Sequence, residues 1–430
     1  MRKILIISPD NISEKMAGPA IRYWNFAIQL SSRFNVHLLI PNEVSIKNDK
    51  FTISTFSKRQ LKKTINDYDA VIIQGLTLFK NPYLKYTKIP LIIDLYDPFV
   101  LEMLEERHKN IQYQVDVGIL LEQLRCGDFF ICASEKQRDF WIGSLIASQR
   151  INLNVYKEDR NLRNTIGVVP FGLEMSAPKN LYNPFEKYEG KKIILWGGGI
   201  WNWLDPFTLI RAFGKILEKR SDLILFFMGT KHPGDLQEEK KIVGQMKELI
   251  HDLKIDKESI VFNDWVSYNE RQCYYKNAQI GVTTYYDNLE TQFSFRTRIL
   301  DYFWCELPMV LTKGDTLSSI VEENKCGITV EPLNVELLAK AIENLLDNEL
   351  YYSKCKDNIA SIKEQYNWEN AIADLVYLCD IADKKTISRR RMFIERILGI
   401  LLRFNFYRSK LSDIFKKNAW KKIIRHIQGK

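Results

Sequence analysis

Short hydrophobic runs alternate along the chain with longer stretches in which hydrophobic residues recur every three or four positions. In the first half these runs predict six strands, at residues 3–8, 36–41, 70–75, 91–95, 129–133 and 166–170. Helical periodicity lies between several of them, notably at 21–31 and 100–125. Runs rich in isoleucine and valine at this spacing are typical of a parallel sheet that is covered by helices on both faces.

The same alternation begins afresh after a polar linker at about 177–190. Six further runs predict strands at 193–196, 223–228, 259–262, 280–284, 309–312 and 327–330, with helices between them. A chain of 430 residues suits two domains, because a domain usually takes about 100 to 200 residues. We therefore predict an α/β protein with two Rossmann-like, doubly wound domains, 1–176 and 190–365, that face each other across a cleft.

Charge is distributed unevenly along the sequence. The net charge of +9 comes from residues 384–430, which hold fifteen lysine and arginine residues against two acidic ones. In this tail, hydrophobic residues recur at helical spacing beside arginines: Phe393, Ile397, Ile400, Leu401 and Phe404. A basic amphipathic segment of this kind indicates contact with an anionic membrane surface. The alternative is a helix that docks its apolar face on the protein. Nucleic acid is not an expected partner, since no recognition module is present.

The cysteines and histidines form no metal-binding or disulfide pattern. Seven cysteines are scattered without a CxxC pair, and five histidines form no HExxH cluster. We therefore expect no disulfide framework, no bound metal and a reducing, cytoplasmic location. Every apolar stretch falls far short of the ~18 residues that a membrane-spanning helix needs.

Three glycines, at 197–199, follow the first predicted strand of the second half and lead into a helix. Glycines allow a ligand to approach the backbone closely, and the N-terminus of the next helix favours a phosphate. This junction predicts a diphosphate site, although a tight turn packed with tryptophans has the same pattern. A nicotinamide cofactor is disfavoured, because Asn202 stands where the third glycine of GxGxxG is required.

Polar residues follow two strands of the first half. Gly18 and Pro19 lead into a helix with Arg22 in its first turn, which is either a substrate-contacting loop or an ordinary connection with a helix-starting proline. Asp94 and Asp97 stand where a buried strand ends. Such carboxylates suit hydroxyl binding or proton transfer, or they cap the next helix.

The densest polar cluster spans 285–301 and follows the strand at 280–284. It places Glu290, Arg296 and Arg298 where they can reach the cleft, and arginine suits phosphate recognition. Because residues two apart on a helix face different ways, we expect one arginine to be structural, and we assign the phosphate to Arg296. A solvated loop is the alternative.

Taken together, these residues resemble the GT-B glycosyltransferases of family 4, which move sugars from nucleotide donors. The resemblance covers about residues 1–380. It rests on the Gly18 loop, Val-Pro-Phe-Gly at 169–172, the glycine junction, Cys-Glu-Leu-Pro-Met-Val at 305–310 and Tyr-Asn-Trp at 366–368. The last motif is similar to the family's closing segment, so that 366–383 is expected to be a helix that returns to the first domain, followed by the basic tail at 384–430.

The sequence departs from the family pattern at two places. Family members carry two glutamates eight positions apart before the Leu-Pro segment, where this chain has Phe293 and Asp301. Glu290 is then the expected first carboxylate, on a longer loop. The basic residues that hold the donor diphosphate in the family are replaced by Asn202 and Leu204, so Arg296 and Arg298 are expected to supply that charge.

The resemblance implies a nucleotide-sugar donor on the second domain and a glycan or lipid-linked acceptor on the first. The predicted catalytic residues are Asp97, Glu290 and Arg296. The predicted donor-binding residues are Gly198, Gly199, Trp201, Asn202, Phe295, Arg296, Thr297, Arg298 and Asp301. The predicted acceptor-binding residues are Gly18, Pro19 and Arg22. Neither a metal nor a cofactor is expected.

The implied activity is a hexosyltransferase-type transfer with retention, in the synthesis of a bacterial surface polysaccharide such as lipopolysaccharide or capsule. The enzyme would act in the cytoplasm or peripherally at the inner face of the membrane. Two alternatives remain. A GT-B nucleotide-sugar epimerase would turn over the donor without an acceptor, and a catalytically degenerate, membrane-associated binding protein would bind the donor without turnover.

Overall fold

The computed structural model describes residues 1–105, 110–174, 176–231, 241–383 and 396–408. The strands of the first domain are β1 (Lys3–Ile7), β2 (Asn35–Ile40), β3 (Thr52–Thr55), β4 (Ala70–Gln74), β5 (Leu91–Asp94), β6 (Phe129–Cys132) and β7 (Ile166–Val168). They form one parallel sheet in the order β3-β2-β1-β4-β5-β6-β7. The helices are α1 (Gly18–Leu30), α2 (Lys58–Thr64), α3 (Thr77–Lys80), α4 (Phe99–Glu105), α5 (Asn110–Cys126), α6 (Glu135–Ala147) and α7 (Leu153–Glu158).

The second domain repeats this architecture with six strands, which are β8 (Lys192–Gly199), β9 (Leu223–Gly229), β10 (Ile260–Phe262), β11 (Ile280–Thr283), β12 (Met309–Thr312) and β13 (Gly327–Val330). The parallel sheet has the order β10-β9-β8-β11-β12-β13. Its helices are α8 (Pro206–Leu217), α9 (Lys241–Asp252), α10 (Arg271–Asn277), α11 (Leu289–Phe293), α12 (Thr297–Trp304), α13 (Thr316–Glu323), α14 (Val335–Asp347) and α15 (Glu349–Ile362).

Central strands of both sheets are buried along their whole length. The residues of β4, β5 and β9 are all inaccessible, because helices cover both faces of each sheet. This is why the strands read as continuous hydrophobic runs, Ala-Val-Ile-Ile-Gln in β4 and Leu-Ile-Leu-Phe-Phe-Met-Gly in β9. The predicted fold class, two doubly wound domains, is confirmed.

The structure differs from the predicted elements in a few places. The edge strand β3 was not predicted, because its Thr-Ile-Ser-Thr sequence is half exposed and has no hydrophobic run. Within the stretch predicted as a helix at 100–125, the described residues form α4 and α5, and 106–109 lie outside the described part of the chain. Strand β8 continues to Gly199, past its predicted end at 196. The beginning of the helix predicted at 234–253 lies outside the described residues, which show α9 from Lys241.

The chain crosses back to the first domain through α16 (Trp368–Ala371) and α17 (Ala373–Ile381). The backbone N–H of Val168 in β7 donates to Oδ2 of Asp374 at 2.7 Å. Gly172 permits the crossing, since a Cβ there would lie only 2.5 Å from the backbone nitrogen of Trp368. These contacts explain why the Val-Pro-Phe-Gly and Tyr-Asn-Trp motifs occur together: they form one junction.

Of the basic tail, the structure describes residues 396–408, a helix that we call the tail helix. It packs against α5, where Leu402 meets Gly118. The residues predicted at 384–395 and 409–430 lie outside the described part of the chain. Among the helices that the structure describes, none has the length and apolar character needed to cross a bilayer.

Candidate functional site

A cavity of about 450 Å³ lies between the two domains, lined by residues that follow the carboxyl ends of β1, β5, β8, β9 and β11. Open α/β sheets bind ligands at this edge. The predicted site residues that line the cavity are Gly18, Pro19, Asp97, Gly198, Gly199, Trp201, Glu290, Phe295, Arg296, Thr297, Arg298 and Asp301. Asn202 and Arg22 are not among its lining residues. The site is therefore built by both domains.

The glycine junction forms the floor of the cavity on the second domain. The register of β8 against β9 shifts between Trp196 and Gly199, and Gly198 adopts φ +74° with open space beside it. L-residues other than glycine rarely adopt this conformation. A Cβ at Gly199 would lie 3.1 Å from Nε1 of Trp201 and 3.3 Å from Trp265. The backbone here is open to a ligand on one side and walled by indole rings on the other.

Helix α12 begins at the rim of this floor and carries Arg298 in its first turn. Its N-cap residue provides no side-chain cap, so the first N–H groups keep their capacity to bind an anion. Arg298 donates from Nη2 to the carbonyl oxygen of Gly199 at 2.8 Å, and its Cζ lies 5.2 Å from the ring of Trp196.

Arg298 is the cation of the site whose charge is not neutralised. Its Nη1 is buried and has no hydrogen-bond partner among the described residues, and no carboxylate there forms an ion pair with it. Burial lowers the pKa of Arg298. An unpaired buried guanidinium that lines a cavity favours an anionic ligand, because the ligand would supply the missing partner.

Arg296, two residues earlier, is already paired. Its Nη1 donates to Oε1 of Glu290 at 2.9 Å, and its Nη2 bonds both Oε2 of Glu290 and Oγ1 of Thr291. Both partners of the ion pair are almost fully buried, at 8% exposure for Arg296 and 3% for Glu290. From the sequence we expected one of the two arginines to be structural and assigned the phosphate to Arg296. In the structure, Arg296 is the arginine that has a carboxylate partner.

Two carboxyl groups of the first domain line the cavity. Asp97 follows β5, Glu102 lies in the first turn of α4, and their side chains are hydrogen-bonded to each other. Two carboxyl groups can bond only if a proton lies between them. Burial, with a contribution from the charge of Glu290 across the cavity, raises the pKa of Asp97 to about 6 and raises that of Glu102 well above its usual value. We call these residues the acid pair.

Arg22 lies inside the first domain, where it binds Asp94 at the end of β5. It is completely buried and forms a bidentate ion pair with Asp94, with Nε 2.7 Å from Oδ2 and Nη2 3.1 Å from Oδ1. Its guanidinium also lies 4.9 Å from the ring centre of Tyr96 and 5.2 Å from that of Phe171. Arg22, predicted to contact the acceptor, is thus fully engaged inside the first domain and does not line the cavity.

Asp301, at the position of the family's second glutamate, faces a cation of its own domain. Nε of Arg271 donates to Oδ1 of Asp301 at 3.1 Å, and Nη2 of Arg271 donates to Glu174 in the interdomain connection at 3.0 Å. The hydroxyl of Tyr275 lies 3.4 Å from Oδ2. Asp301 therefore ties α12 to α10 and to the crossing between the domains.

Helix α11 of the second domain contacts the first domain. The ring of Phe293 packs on Phe140 of α6 with centroids 4.8 Å apart. Nε2 of Gln137 donates to the carbonyl oxygens of both Tyr96 and Phe293, each at 2.8 Å. Phe293 stands at the sequence position where the family has its first glutamate, and its side chain contacts the first domain. Glu290, on the same helix, lines the cavity.

Several lining residues were not predicted from the sequence: Tyr96, Glu102, Gly229, Trp265 and Arg271. Gly229 ends a strand, so it carried the same signal as the glycine junction. Glu102 stands five residues after Asp97, and the Asp-Pro helix start was the available sign. Trp265 lies in a loop and Arg271 begins α10, and the hydrophobic pattern of the sequence gives no sign of a site at either position. Within the described residues, no three histidine, cysteine, aspartate or glutamate side chains are grouped as a metal site requires.

Comparison with known proteins identifies the second domain and the fold. Residues 191–348 match a family model described as "Glycosyl transferases group 1". None of the curated proteins matches the sequence. Among solved structures, WaaG, a glycosyltransferase involved in lipopolysaccharide biosynthesis, is 13% identical with a TM-score of 0.61, covering 87% of this chain and 99% of that chain.

Two further structures are similar over the same range. HepE from Anabaena, in complex with UDP and glucose, is 14% identical with a TM-score of 0.62, covering 88% of this chain and 100% of that chain. A trehalose-6-phosphate synthase, studied for glycosyl transfer with retention, is 12% identical with a TM-score of 0.64, covering 89% and 100%. At these identities the likeness shows the shared fold, and the family resemblance seen in the sequence is confirmed.

Proposed function

We propose that this chain, whose fold is that of the GT-B glycosyltransferases and whose second domain is a group 1 glycosyl transferase domain, transfers a hexose from a nucleotide-sugar donor to a glycan or lipid-linked acceptor. One observation carries the proposal. Gly198, the uncapped start of α12 and the unneutralised Arg298 meet at one end of the interdomain cavity. A diphosphate suits this place, because it supplies two anionic groups to a positive helix end and a guanidinium.

The catalytic contribution of this end is electrostatic. As the bond between the sugar and the diphosphate breaks, negative charge grows on the leaving phosphate. Backbone N–H groups at Gly198 and Gly199 and the guanidinium of Arg298 would stabilise that charge in a preorganised site. We assign the diphosphate contact to Arg298, reversing the expectation from the sequence, because Arg296 already neutralises Glu290.

The other end of the cavity would hold the sugar and the acceptor. Glu290 is positioned by Arg296 and would accept hydrogen bonds from donor hydroxyls. The acid pair Asp97 and Glu102 lies on the first domain and would bind the acceptor hydroxyl, with the ionised carboxylate of Asp97 as hydrogen-bond acceptor. The residues need no metal for these steps, and we propose that the transfer is metal-independent.

The similar solved structures and the basic tail support three more specific proposals, on stereochemistry, biological role and location. Similarity to a synthase studied for retention supports retaining transfer, and similarity to WaaG supports a place in surface polysaccharide synthesis. The scattered, buried cysteines and the basic tail support a cytoplasmic enzyme at the inner face of the membrane.

A thermal-shift screen of the full-length protein against nucleoside diphosphates and their sugars tests the proposal. A bound donor at a hundredfold excess over Kd should stabilise the protein by about 2.7 kcal/mol. The shift should vanish in Arg298→Ala and persist in Lys340→Ala, an exposed cation of α14 in the same domain. No shift with any of these ligands would overturn the donor assignment.

Product analysis separates the alternatives. Sugar transfer that depends on an added glycan or lipid-linked acceptor supports a transferase. Conversion of the donor without acceptor would assign an epimerase instead. Donor binding without any turnover would assign a binding protein that has lost catalysis.

A further inference from the structure

The tail helix is fitted to the first domain by two glycines. A Cβ at Gly118 of α5 would lie 2.5 Å from Cδ1 of Leu402, and a Cβ at Gly399 would lie 2.8 Å from Nη1 of Arg403 and 3.0 Å from Nζ of Lys85. These atoms are the ends of flexible side chains, which would have to shift to admit a larger residue. The close approach shows that the tail helix is in direct contact with α5 and with Lys85.

Polar and aromatic contacts fix the same position. Arg403 donates from Nη2 to the carbonyl oxygen of Phe79 at 2.8 Å, and its Nη1 lies 3.9 Å from Glu122. Glu122 is held in turn by Lys85 at 2.7 Å in a buried ion pair. The ring of Phe406 packs on Phe79 with centroids 5.0 Å apart. The inner face of the tail helix is thus Gly399, Leu402, Arg403 and Phe406.

The opposite face is apolar and exposed. Its residues recur at helical spacing and are 44% to 68% accessible: Ile397, Ile400, Leu401, Phe404 and Tyr407. No described residue covers them. Four of them belong to the stripe that the sequence predicted to be amphipathic, so docking and surface exposure are both present, on opposite faces of one helix. We call this set the outer face.

Exposed apolar residues also occur on elements that pack against the tail helix. Leu76 before α3, Leu104 on α4 and Leu121 on α5 are 39% to 47% accessible. A cluster of exposed apolar side chains such as the outer face marks an interaction site on a protein. Besides Arg403, which lies on the inner face, residues 396–408 carry the charges of Arg396 and Arg408 and no acidic residue.

We infer that the outer face inserts into the headgroup region of an anionic bilayer and, because the helix is docked, fixes the orientation of the catalytic cleft on the membrane. Apolar side chains beside arginines suit anionic lipid, since both burial and charge favour it. The remaining tail, 384–395 and 409–430, adds twelve basic residues against two acidic ones. An anionic bilayer matches both features, the apolar outer face and the excess of positive charge.

One packing contact connects the tail helix to the helix that carries Glu102. Phe406 packs in one cluster with Phe79, Val115 and Phe99, and Phe99 begins α4, which carries Glu102 of the acid pair. The tail helix therefore packs against the helix that carries Glu102. The further step, that the bilayer lies next to the acceptor end of the cavity, rests on the proposed function, in which a lipid-linked acceptor reaches the site from the membrane.

Site-specific labelling tests insertion in the full-length protein. All seven native cysteines are buried, so a thiol-reactive, environment-sensitive dye would label an introduced surface cysteine selectively. In Phe404→Cys the dye emission should shift to the blue on addition of phosphatidylcholine–phosphatidylglycerol vesicles. In Leu350→Cys, a matched position that is 84% exposed on α15, it should not shift.

Sedimentation with the same vesicles supplies the second measurement. The pair Ile400→Asn and Leu401→Asn should lower the partition coefficient at least tenfold, whereas Leu337→Asn with Leu350→Asn should leave it unchanged. Equal sedimentation of all variants would overturn the inference. So would a dye at position 404 that is already shielded without vesicles, since the tail itself or a second copy would then cover the face. Neither measurement requires turnover, and the donor-induced thermal shift of each variant reports separately on the proposed function.

Discussion

The guanidinium group of Arg296 meets the carboxylate of Glu290 side by side, with Nη1 2.9 Å from Oε1, and both side chains are buried at the edge of the cleft. A paired cation attracts a phosphate less than an unpaired one does. Among the described residues, Arg298 donates a hydrogen bond to the carbonyl oxygen of Gly199 and forms no ion pair, so its charge is left for a ligand. This ion pair is the reason why we propose Arg296 as a positioning residue and Arg298 as the anion ligand.

Arg298→Ala should reduce kcat/KM for sugar transfer at least about 10²-fold, because a charge-assisted contact that strengthens in the transition state is worth about 3 kcal/mol. Arg298→Lys should restore part of the activity, since it returns the charge without the fork geometry. The measurement is steady-state kinetics with one donor and acceptor. Full activity of Arg298→Ala would remove this arginine from the site.

Arg296→Ala should act mainly on stability. Removing one partner of a buried ion pair leaves Glu290 uncompensated, which typically costs about 3 to 5 kcal/mol of the free energy of unfolding. Urea unfolding of Arg296→Ala beside Arg296→Ala/Glu290→Gln is the check, because the second variant removes the stranded charge and should recover part of the loss. If Arg296→Ala keeps full stability but loses donor binding, the original assignment of the phosphate to Arg296 holds.

Gly198→Ala should destabilise the protein by about 1 to 2 kcal/mol, because φ +74° is a left-handed conformation that costs an L-residue that much. There is open space around the position, so backbone strain alone is tested. Gly143→Ala on α6 is the matched control, since no atom lies within 4 Å of its Cβ position and the helix should gain about 0.5 to 1 kcal/mol. Equal effects of both changes on the melting temperature would contradict the strained geometry.

Chelation should leave the reaction unaffected. The charge of the leaving diphosphate is assigned to Arg298 and backbone N–H groups, so turnover measured after dialysis against EDTA should match that before it. Added Mg²⁺ or Mn²⁺ should change kcat/KM by less than about twofold, the range expected from ionic screening alone. Loss of activity on chelation, restored by a divalent cation, would show that the donor phosphate is neutralised by metal.

The fold was predictable because its signal is repeated. Each buried strand, such as β4 and β9, is covered on both faces and therefore reads as an unbroken hydrophobic run. Strand β3 lies at an edge with half-exposed residues, and its Thr-Ile-Ser-Thr sequence provides no such run.

The site was predictable where one residue sufficed. Gly198 and Gly199 line the cavity because glycine at a strand end has a local conformational reason. Pairings between distant segments left no local sign. Arg22 and Asp94 are 72 positions apart, and only the fold shows that this ion pair occupies the arginine expected at the acceptor. Glu102 likewise gains its meaning from Asp97, through a hydrogen bond that spacing alone does not specify.

The acid pair also predicts a pH effect on stability. Burial raises the pKa of Asp97 to about 6, above the value of about 3.9 in an unfolded chain. The folded protein then holds the proton of Asp97 more tightly than the unfolded chain does, so the contribution of Asp97 to stability falls as pH rises from about 4 to about 6 and stays level above. Asp97→Asn lacks this titration. Its melting temperature should exceed that of the wild type at pH 8, and the difference should shrink below pH 4.

The rate of sugar transfer should report the same pair from the catalytic side. If the ionised carboxylate of Asp97 binds the acceptor hydroxyl, kcat/KM rises with pH through about 6, tenfold per unit below it. The hydrogen bond from Glu102 favours the ionised form of Asp97, so Glu102→Leu should move this limb to higher pH. Glu102→Gln keeps a donor N–H toward Asp97 and should leave the limb in place. Glu290 faces both carboxyl groups and Arg296 partly offsets it, so Glu290→Gln should move the limb to lower pH. Profiles that coincide in all four proteins would show that the pair is structural and that the acceptor is activated elsewhere.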